Sequence, residues 1–115
     1  MFGWWTPLSW HSRGGVVMAD ASARTFIWTL TNPAGQPAKY NLDPSETQFV
    51  MFVDRDGSPC LGSGCDMYIA DKSNTNDKSF THFPFSFEDT TGRGVNTFSG
   101  SRNFRTSEIE VFVPA

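Results

Sequence analysis

Two carboxylates, Glu108 and Glu110, stand two residues apart in a segment that alternates polar and apolar residues. Strand residues two apart point to the same face, so the pair would share one side of a strand over residues 107–113. Acid–base and glycosidase chemistry needs two carboxylates held a set distance apart. No neighbouring residue completes a catalytic set, however, and an exposed face balanced by Arg102 or Arg105 explains the pair more simply. We therefore predict no enzyme and keep Glu108 and Glu110 as candidate binding residues.

A second group of side chains could hold a cation. Segment 54–57, Asp-Arg-Asp-Gly, has the oxygen-rich composition of a calcium loop, but it lacks the further ligand positions and terminal Glu of an EF-hand. Asp-Gly is also a strong turn dipeptide, so a hairpin turn is the simpler interpretation. We expect no cofactor; the alternative, a calcium site, would use Asp54, Asp56, Asp66 and Asp71, and further oxygens could come from Asn74, Asn76 and Asp77.

The histidines and cysteines offer other chemistry. His11 and His82 are not spaced as a pair of zinc ligands, and His82 is more simply a packed or hydrogen-bonded residue. Cys60 and Cys65 lie five residues apart in a Gly-rich segment and could close a small disulfide loop. The Gly-Ser-Gly at 62–64 lacks the Lys-Ser/Thr of a phosphate loop and predicts a bulge or a tight turn.

Tryptophans near the start of the sequence suggest a surface for stacking against sugars. Trp4, Trp5 and Trp10 are the residues concerned. Aromatic side chains are enriched at binding surfaces, so an exposed indole among them would mark one. Trp4 and Trp5 are therefore candidate binding residues, in a glycan-binding module that uses either calcium or an aromatic platform.

Composition excludes several classes of function. Eleven Phe, four Trp and two Tyr among 115 residues, with only 18 % charged residues, indicate one folded domain with a real core. The net charge is -3 and the basic residues are scattered, which argues against nucleic-acid binding. No apolar run could cross a membrane, and the start does not resemble a signal peptide. There is no Asn-x-Ser/Thr site, so we expect an intracellular protein.

Short runs of β-branched and aromatic residues between turn signals predict strands. We expect strands at 24–31, 39–42, 48–53, 66–70 and 107–113, of which 48–53 is apolar on both faces and therefore central. No window shows the apolar spacing of a long helix. The predicted fold is mainly β: an antiparallel two-sheet sandwich with long loops at 71–78 and 88–94, and at most short helical turns.

Several segments together resemble one family. They are 2–6 (Phe-Gly-Trp-Trp-Thr) with Trp10 and Ser12 downstream, 26–32 (Phe-Ile-Trp-Thr-Leu-Thr-Asn), 62–69 (Gly-Ser-Gly-Cys-Asp-Met-Tyr-Ile), 96–104 (Asn-Thr-Phe-Ser-Gly-Ser-Arg-Asn-Phe) and 108–112 (Glu-Ile-Glu-Val-Phe). Their order and spacing resemble a TLDc (TBC/LysM-associated) domain, of the divergent kind found in protists and marine invertebrates. The chain departs from the family in lacking its N-terminal helix and strand, and Cys65 stands where relatives more often carry His or another polar residue.

The resemblance implies a β-sandwich without an established catalytic centre, in a family whose better-studied members protect against oxidative damage and bind the vacuolar proton pump. We expect residues 1–115 to form a single TLDc-like domain, the C-terminal part of the family's full domain. The missing elements would leave an apolar strip or an unpaired strand edge. We therefore predict a non-enzymatic interaction or assembly module that pairs with a protein partner, or with itself, along an exposed strand edge.

Overall fold

The computed structural model describes residues 1–8, 16–31, 35–53 and 58–111, and all strand pairing in this part of the chain is antiparallel. Two single-turn 3₁₀ helices lie at Pro44–Glu46 and Gly94–Asn96. The strands are β1 Phe2–Trp5, β2 Val16–Met18, β3 Phe26–Thr29, β4 Ala38–Asn41, β5 Met51–Val53, β6 Pro59–Leu61, β7 Met67–Tyr68, β8 Ser79–Phe80 and β9 Asn103–Phe104. The predicted mainly β fold with two antiparallel sheets is confirmed.

The strands form a three-stranded sheet in the order β1-β3-β4 and a six-stranded sheet in the order β2-β5-β6-β7-β8-β9. A segment that follows β8 runs beside the end of β4. Leu42 forms an isolated bridge with Phe87, and the N–H of Glu88 donates to the carbonyl of Asn41 at 2.9 Å. This contact covers part of the β4 edge of the small sheet.

Strand β3 has one buried and one half-buried face, as its alternation predicts. Ile27 and Thr29 are buried, whereas Phe26 and Trp28 are half-buried on the opposite face. The smaller side chains thus point into the sandwich and the aromatic ones point out of it. This orientation places aromatic rings on the outer surface of the small sheet.

The predicted central strand at 48–53 is shorter but does lie inside its sheet. Strand β5 pairs with β2 on one side and β6 on the other. Met51 and Val53 are fully buried, and Phe52 on the opposite face is half-buried. The runs predicted at 39–42 and 66–70 correspond to β4 and β7, and residues 71–78 and 88–94 contain no strand, as expected of loops.

Aromatic rings fill the space between the sheets. Tyr40 of β4 packs edge-on against Phe83 and Phe98, with ring centroids 4.8 Å and 5.9 Å away. Phe2 of β1 packs against Phe98 and against Phe104 of β9, at 5.4 Å and 5.3 Å. The core therefore depends on residues from irregular segments as well as on the strands.

The strand predicted at 107–113 is wrong over the residues that the structure describes. Residues 107–111 have no strand structure and are exposed; Phe112 and Val113 lie outside the described residues. Within the described residues, the last hydrogen-bonded residue is Thr106, whose N–H donates to the carbonyl of Ser73 at 3.0 Å. The alternating pattern indicates a preference for extended structure, but a strand also requires a neighbour to bond to, and this segment has none in the described part of the chain.

Candidate functional site

The outer face of the small sheet carries a row of aromatic and cationic side chains. Trp5 of β1 lies directly across from Phe26 of β3, with the rings 5.8 Å apart and inclined by only 20°. On β4, the Nζ atom of Lys39 lies 4.3 Å from the centroid of the Phe26 ring, a cation–π contact. Because β3 lies between β1 and β4, Phe26 is flanked by Trp5 and Lys39.

The two predicted tryptophans have different environments. Trp4 is half-buried and packs against the core between the sheets, whereas Trp5 is 38 % exposed on the outer face. Trp28 is half-buried on the same outer face as Trp5. The sequence indicated Trp5 but gave no sign of Phe26, Trp28 and Lys39; Trp10 lies outside the described residues.

Strand β1 is an edge strand with open backbone groups. The N–H of Leu30 donates to the carbonyl of Met1 at 2.9 Å, which makes these opposed residues a hydrogen-bonded pair. Hydrogen-bonded and non-hydrogen-bonded pairs alternate along an antiparallel ladder, so the N–H and C=O groups of Phe2 and Trp4 point away from β3. Among the described strands, β1 pairs with β3 alone.

This edge also lacks the features that usually prevent association. Natural edge strands are commonly protected by charged side chains, by proline or by a bulge. Strand β1 reads Phe-Gly-Trp-Trp, without charge or proline, and pairs with β3 in unbroken register. It is therefore a chemically unprotected edge.

Asp66, one of the candidate calcium ligands, is a buried structural residue. Its carboxylate is fully buried and accepts hydrogen bonds from the backbone N–H groups of Phe85, Ser86 and Phe87, at 2.8 to 3.2 Å. Burial raises the pKa of Asp66 above its usual value, although these three N–H groups act in the opposite direction. The carboxylate thus shapes the segment after β8, and its oxygens face N–H donors rather than a cation site.

The Gly-rich segment before Asp66 forms the predicted tight turn. Cys60 and Cys65 are joined by a disulfide with Cα atoms 5.1 Å apart, and the N–H of Cys65 donates to the carbonyl of Gly62 at 3.1 Å. Gly62 has a φ of +87°, and a Cβ there would lie 2.1 Å from Oδ1 of Asp66. A Cβ at Gly64 would lie 2.5 Å from the Phe85 ring. Both glycines therefore allow the turn to approach the segment that Asp66 holds.

Among the described cation candidates, Asp71 has a different environment from Asp66. Asp71 is exposed in the loop between β7 and β8, and Asp54 and Asp56 lie outside the described residues. No group of three His, Cys, Asp or Glu side chains within residues 1–8, 16–31, 35–53 and 58–111 is placed to hold a metal ion together. An open pocket of about 350 Å³ beside Asp71 is lined by Tyr68, Ala70, Asp71, Lys72, Asn76 and Lys78.

The paired glutamates occupy an exposed segment instead of a sheet face. Glu108 and Glu110 are both exposed and lie outside any strand. Arg105, considered as a balancing charge, contacts Asp77 at 3.2 Å instead, and both of these side chains are exposed. The other candidate, Arg102, donates to Nε2 of His82 at 2.6 Å.

His82 takes part in a surface network. Its Nδ1 lies 2.8 Å from the carbonyl of Gly64, so Nδ1 donates and Nε2 accepts from Arg102. The imidazole also packs 4.8 Å from the ring of Phe80, which stacks on Tyr68 at 5.0 Å. His82 is thus a hydrogen-bonded residue, as expected; His11 lies outside the described residues.

Two further aspartates, Asp20 and Asp89, organise loops. Asp20 is buried and accepts hydrogen bonds from Ser22, Arg24 and Thr25. Burial alone would raise its pKa, but these hydrogen bonds outweigh burial and lower the pKa to about 2. Asp89 is similar: burial opposes ionisation, but hydrogen bonds from Thr91, Gly92 and Gly94 lower its pKa.

Comparison with known proteins adds no relative: the chain matches no family model, no curated protein and no solved structure. None of the helices in the described residues has the length and apolar character needed to cross a membrane. The functional interpretation therefore depends on the surfaces of this molecule, above all on the β1 edge and the aromatic face beside it.

Proposed function

We propose that this chain is a non-enzymatic interaction module that binds an extended segment of a protein partner along β1. In this mode the partner adds a fourth strand to the small sheet, and main-chain hydrogen bonds supply much of the affinity. The observation that carries the proposal is the outward direction of the Phe2 and Trp4 backbone groups on an uncharged edge strand.

The neighbouring aromatic face supports the same function. A strand added beside β1 would bring alternate side chains next to Trp5, which is 38 % exposed. Directly opposed side chains on adjacent strands, aromatic pairs among them, contribute roughly 0.2 to 1 kcal/mol per pair. The backbone of β1 thus provides affinity, and Trp5 provides a preference for the partner's side chains.

The test uses a synthetic peptide with a strand-forming sequence, Lys-Val-Thr-Val-Thr-Val-Lys, and hydrogen exchange of the β1 amides. We expect the peptide to slow exchange at the amides of Phe2 and Trp4, and an N-methylated version of the same peptide to have no effect. Trp5→Lys places a charge on the edge and should abolish the protection. Leu30→Lys is the matched control, because Leu30 is also exposed but lies just beyond the inner strand β3. Unchanged exchange at Phe2 and Trp4 would count against the proposal.

A second candidate function is glycan binding on the aromatic face, and the row formed by Trp5, Phe26 and Lys39 favours it. Aromatic rings offer apolar surface to the C–H face of a sugar ring, and the ammonium group can donate to hydroxyl oxygens. Titration with cellohexaose should quench tryptophan fluorescence in the wild type and not in Trp5→Ala, with Leu30→Ala as the control. Saturable quenching that survives Trp5→Ala would exclude this face. Asp66 does not support a calcium-dependent form of this candidate, because its carboxylate accepts hydrogen bonds from backbone N–H groups.

The TLDc resemblance is consistent with the first proposal, because it implies a module without a catalytic centre. A role in oxidation resistance or in regulating the vacuolar proton pump depends on the resemblance alone. Either role becomes testable once the protein that supplies the added strand is known, because the identity of that protein would show whether it belongs to the proton pump.

A further inference from the structure

The segment that follows Thr106 has the sequence of a strand without the structure of one. Ile109 and Val111 alternate with Glu108 and Glu110, a pattern typical of a strand with one apolar face. Ile109 and Val111 are nevertheless 53 % and 66 % exposed, and residues 107–111 pair with no described strand. Two exposed β-branched side chains in a segment that pairs with no described strand are available to a sheet edge.

We propose that residues 107–111 of one copy add to the β1 edge of a second copy, so that the chain assembles with itself head to tail. This proposal rests on the proposed function, because it names the occupant of the same edge. It joins two features that each lack a pairing partner among the described strands: a strand-forming segment and an unprotected strand edge.

The side chains of the two segments match in polarity. On β1, Phe2 and Trp4 point towards the core, and Gly3 and Trp5 point to the outer face. A strand paired with β1 alternates in the same way, so Ile109 and Val111 would extend the apolar inner row. Glu108 and Glu110 would then remain on the outer, solvent-facing side. The opposite register would bury both carboxylates and is excluded by the cost of burying unpaired charge.

The occupant is assigned to a second copy because the segment does not pair with its own β1. Phe2 of β1 and Phe104 of β9 are in ring contact at 5.3 Å, so the end of β9 and the start of β1 are near each other. Thr106, however, is bound to the loop after β7 through its N–H and its hydroxyl, which contact Ser73 at 3.0 Å and 2.6 Å. The segment 107–111 therefore starts from that loop and stays free of its own β1.

An interface of this kind is heterologous, because the β1 edge of one copy meets residues 107–111, here called the tail, of the next copy. An open chain of copies keeps one free edge at one end and one free tail at the other, so the assembly grows with concentration. Five residues form a small interface, well below the size of stable complexes, so we expect weak association that is detectable only at high protein concentration.

Two variants with complementary defects test the proposal. Trp5→Lys blocks the edge and leaves the tail intact, whereas Ile109→Pro removes a backbone N–H from the tail and leaves the edge intact. Sedimentation velocity of the full chain should show association of the wild type, and each variant alone should associate at least about tenfold more weakly. Mixed together, the two variants should form a 1:1 heterodimer that grows no further. The matched control is a mixture of Trp5→Lys with the double variant Trp5→Lys/Ile109→Pro, which should remain monomeric.

The outcomes separate this inference from the proposed function. If the strand-forming peptide protects the amides of Phe2 and Trp4 but the mixed variants do not form a heterodimer, the edge binds strands and the tail is not its occupant. Protection of the same amides in a wild-type monomer, independent of concentration, would show that the tail folds onto its own β1 and would also overturn the inference. Wild-type association that Ile109→Pro leaves unchanged would assign self-association to another surface.

Discussion

The indole of Trp28 lies across the backbone of Gly3, so close that a Cβ at Gly3 would be 2.8 Å from Cζ2 of Trp28. The two residues are opposed on β1 and β3, and the missing side chain of Gly3 gives the indole its place on the outer face. Gly3→Ala should therefore displace Trp28 and destabilise the fold by about 1 to 3 kcal/mol, the usual cost of overpacking. Urea denaturation gives this loss, and a shift of tryptophan fluorescence reports the displacement.

The control for this prediction is a double-mutant cycle with Trp28→Leu. In the Trp28→Leu background an added methyl at Gly3 has room, so Gly3→Ala should cost much less there. Equal costs in both backgrounds would mean that the loss arises from the backbone of β1 and not from contact with the indole.

Asp20 makes the stability of the fold sensitive to acid. Hydrogen bonds from Ser22, Arg24 and Thr25 lower the pKa of its buried carboxyl to about 2, so the folded state holds the ionised form more tightly than the unfolded chain does. Its stabilisation is present above the unfolded pKa of about 4 and is lost as the pH falls through about 2, a change of about 2 kcal/mol. The unfolding free energy of Asp20→Asn should lack this part of the pH dependence. Asp71→Asn, which alters an exposed carboxylate, should keep the wild-type curve.

The disulfide between Cys60 and Cys65 closes a loop of six residues, so its removal should have a moderate effect. Loop-closure entropy for so short a loop gives about 2 kcal/mol, and we expect this loss for Cys60→Ala/Cys65→Ala in urea denaturation. Cys65 has a φ of +54°, a conformation that favours glycine, so Cys60→Ala/Cys65→Gly should recover up to about 1 kcal/mol. Reduction of the wild type should reproduce the loss of the alanine variant. A wild type insensitive to reductant would contradict the expected contribution.

The strands that could be predicted are those whose pattern and flanking turns are both clear. The alternation around Ile27 and the apolar run around Met51 identify β3 and β5, since each is bounded by turn residues. Strands β6 and β9 are only three and two residues long, too short to show a pattern of their own. They are strands because they pair with the neighbouring strands of the sheet. The reverse holds for residues 107–111, where a clear strand pattern has no neighbour in the described chain.

The candidate site was predictable in residue type but not in environment. Trp5 could be chosen as an aromatic near the start, but the exposure of Phe26 and Trp28 depends on which face of β3 packs inward. That choice is made by the second sheet, which buries Ile27 and Thr29. Asp66 was a reasonable calcium candidate for a similar reason, because a carboxylate suits either a cation or backbone N–H donors. Its donors begin at Phe85, nineteen residues later in the sequence, and only folding brings them together.

The carboxylate of Asp66 should be among the most sensitive single positions in the fold. In Asp66→Asn, an amide N–H₂ replaces one acceptor oxygen and faces the N–H groups of residues 85–87, so we expect a loss of about 3 kcal/mol at neutral pH.

The pH dependence of the stabilisation by Asp66 has a definite sign. Because burial raises the pKa of Asp66, its contribution is complete below the unfolded pKa of about 4 and diminishes as the pH rises through the folded pKa. The stability advantage of the wild type over Asp66→Asn should therefore be larger near pH 4 than near pH 7 in urea denaturation. Asp89→Asn is the matched comparison, since hydrogen bonds lower the pKa of Asp89 and its advantage should shrink towards acid. An advantage of Asp66 that grows with pH would mean that the three N–H groups outweigh burial and keep the carboxylate ionised.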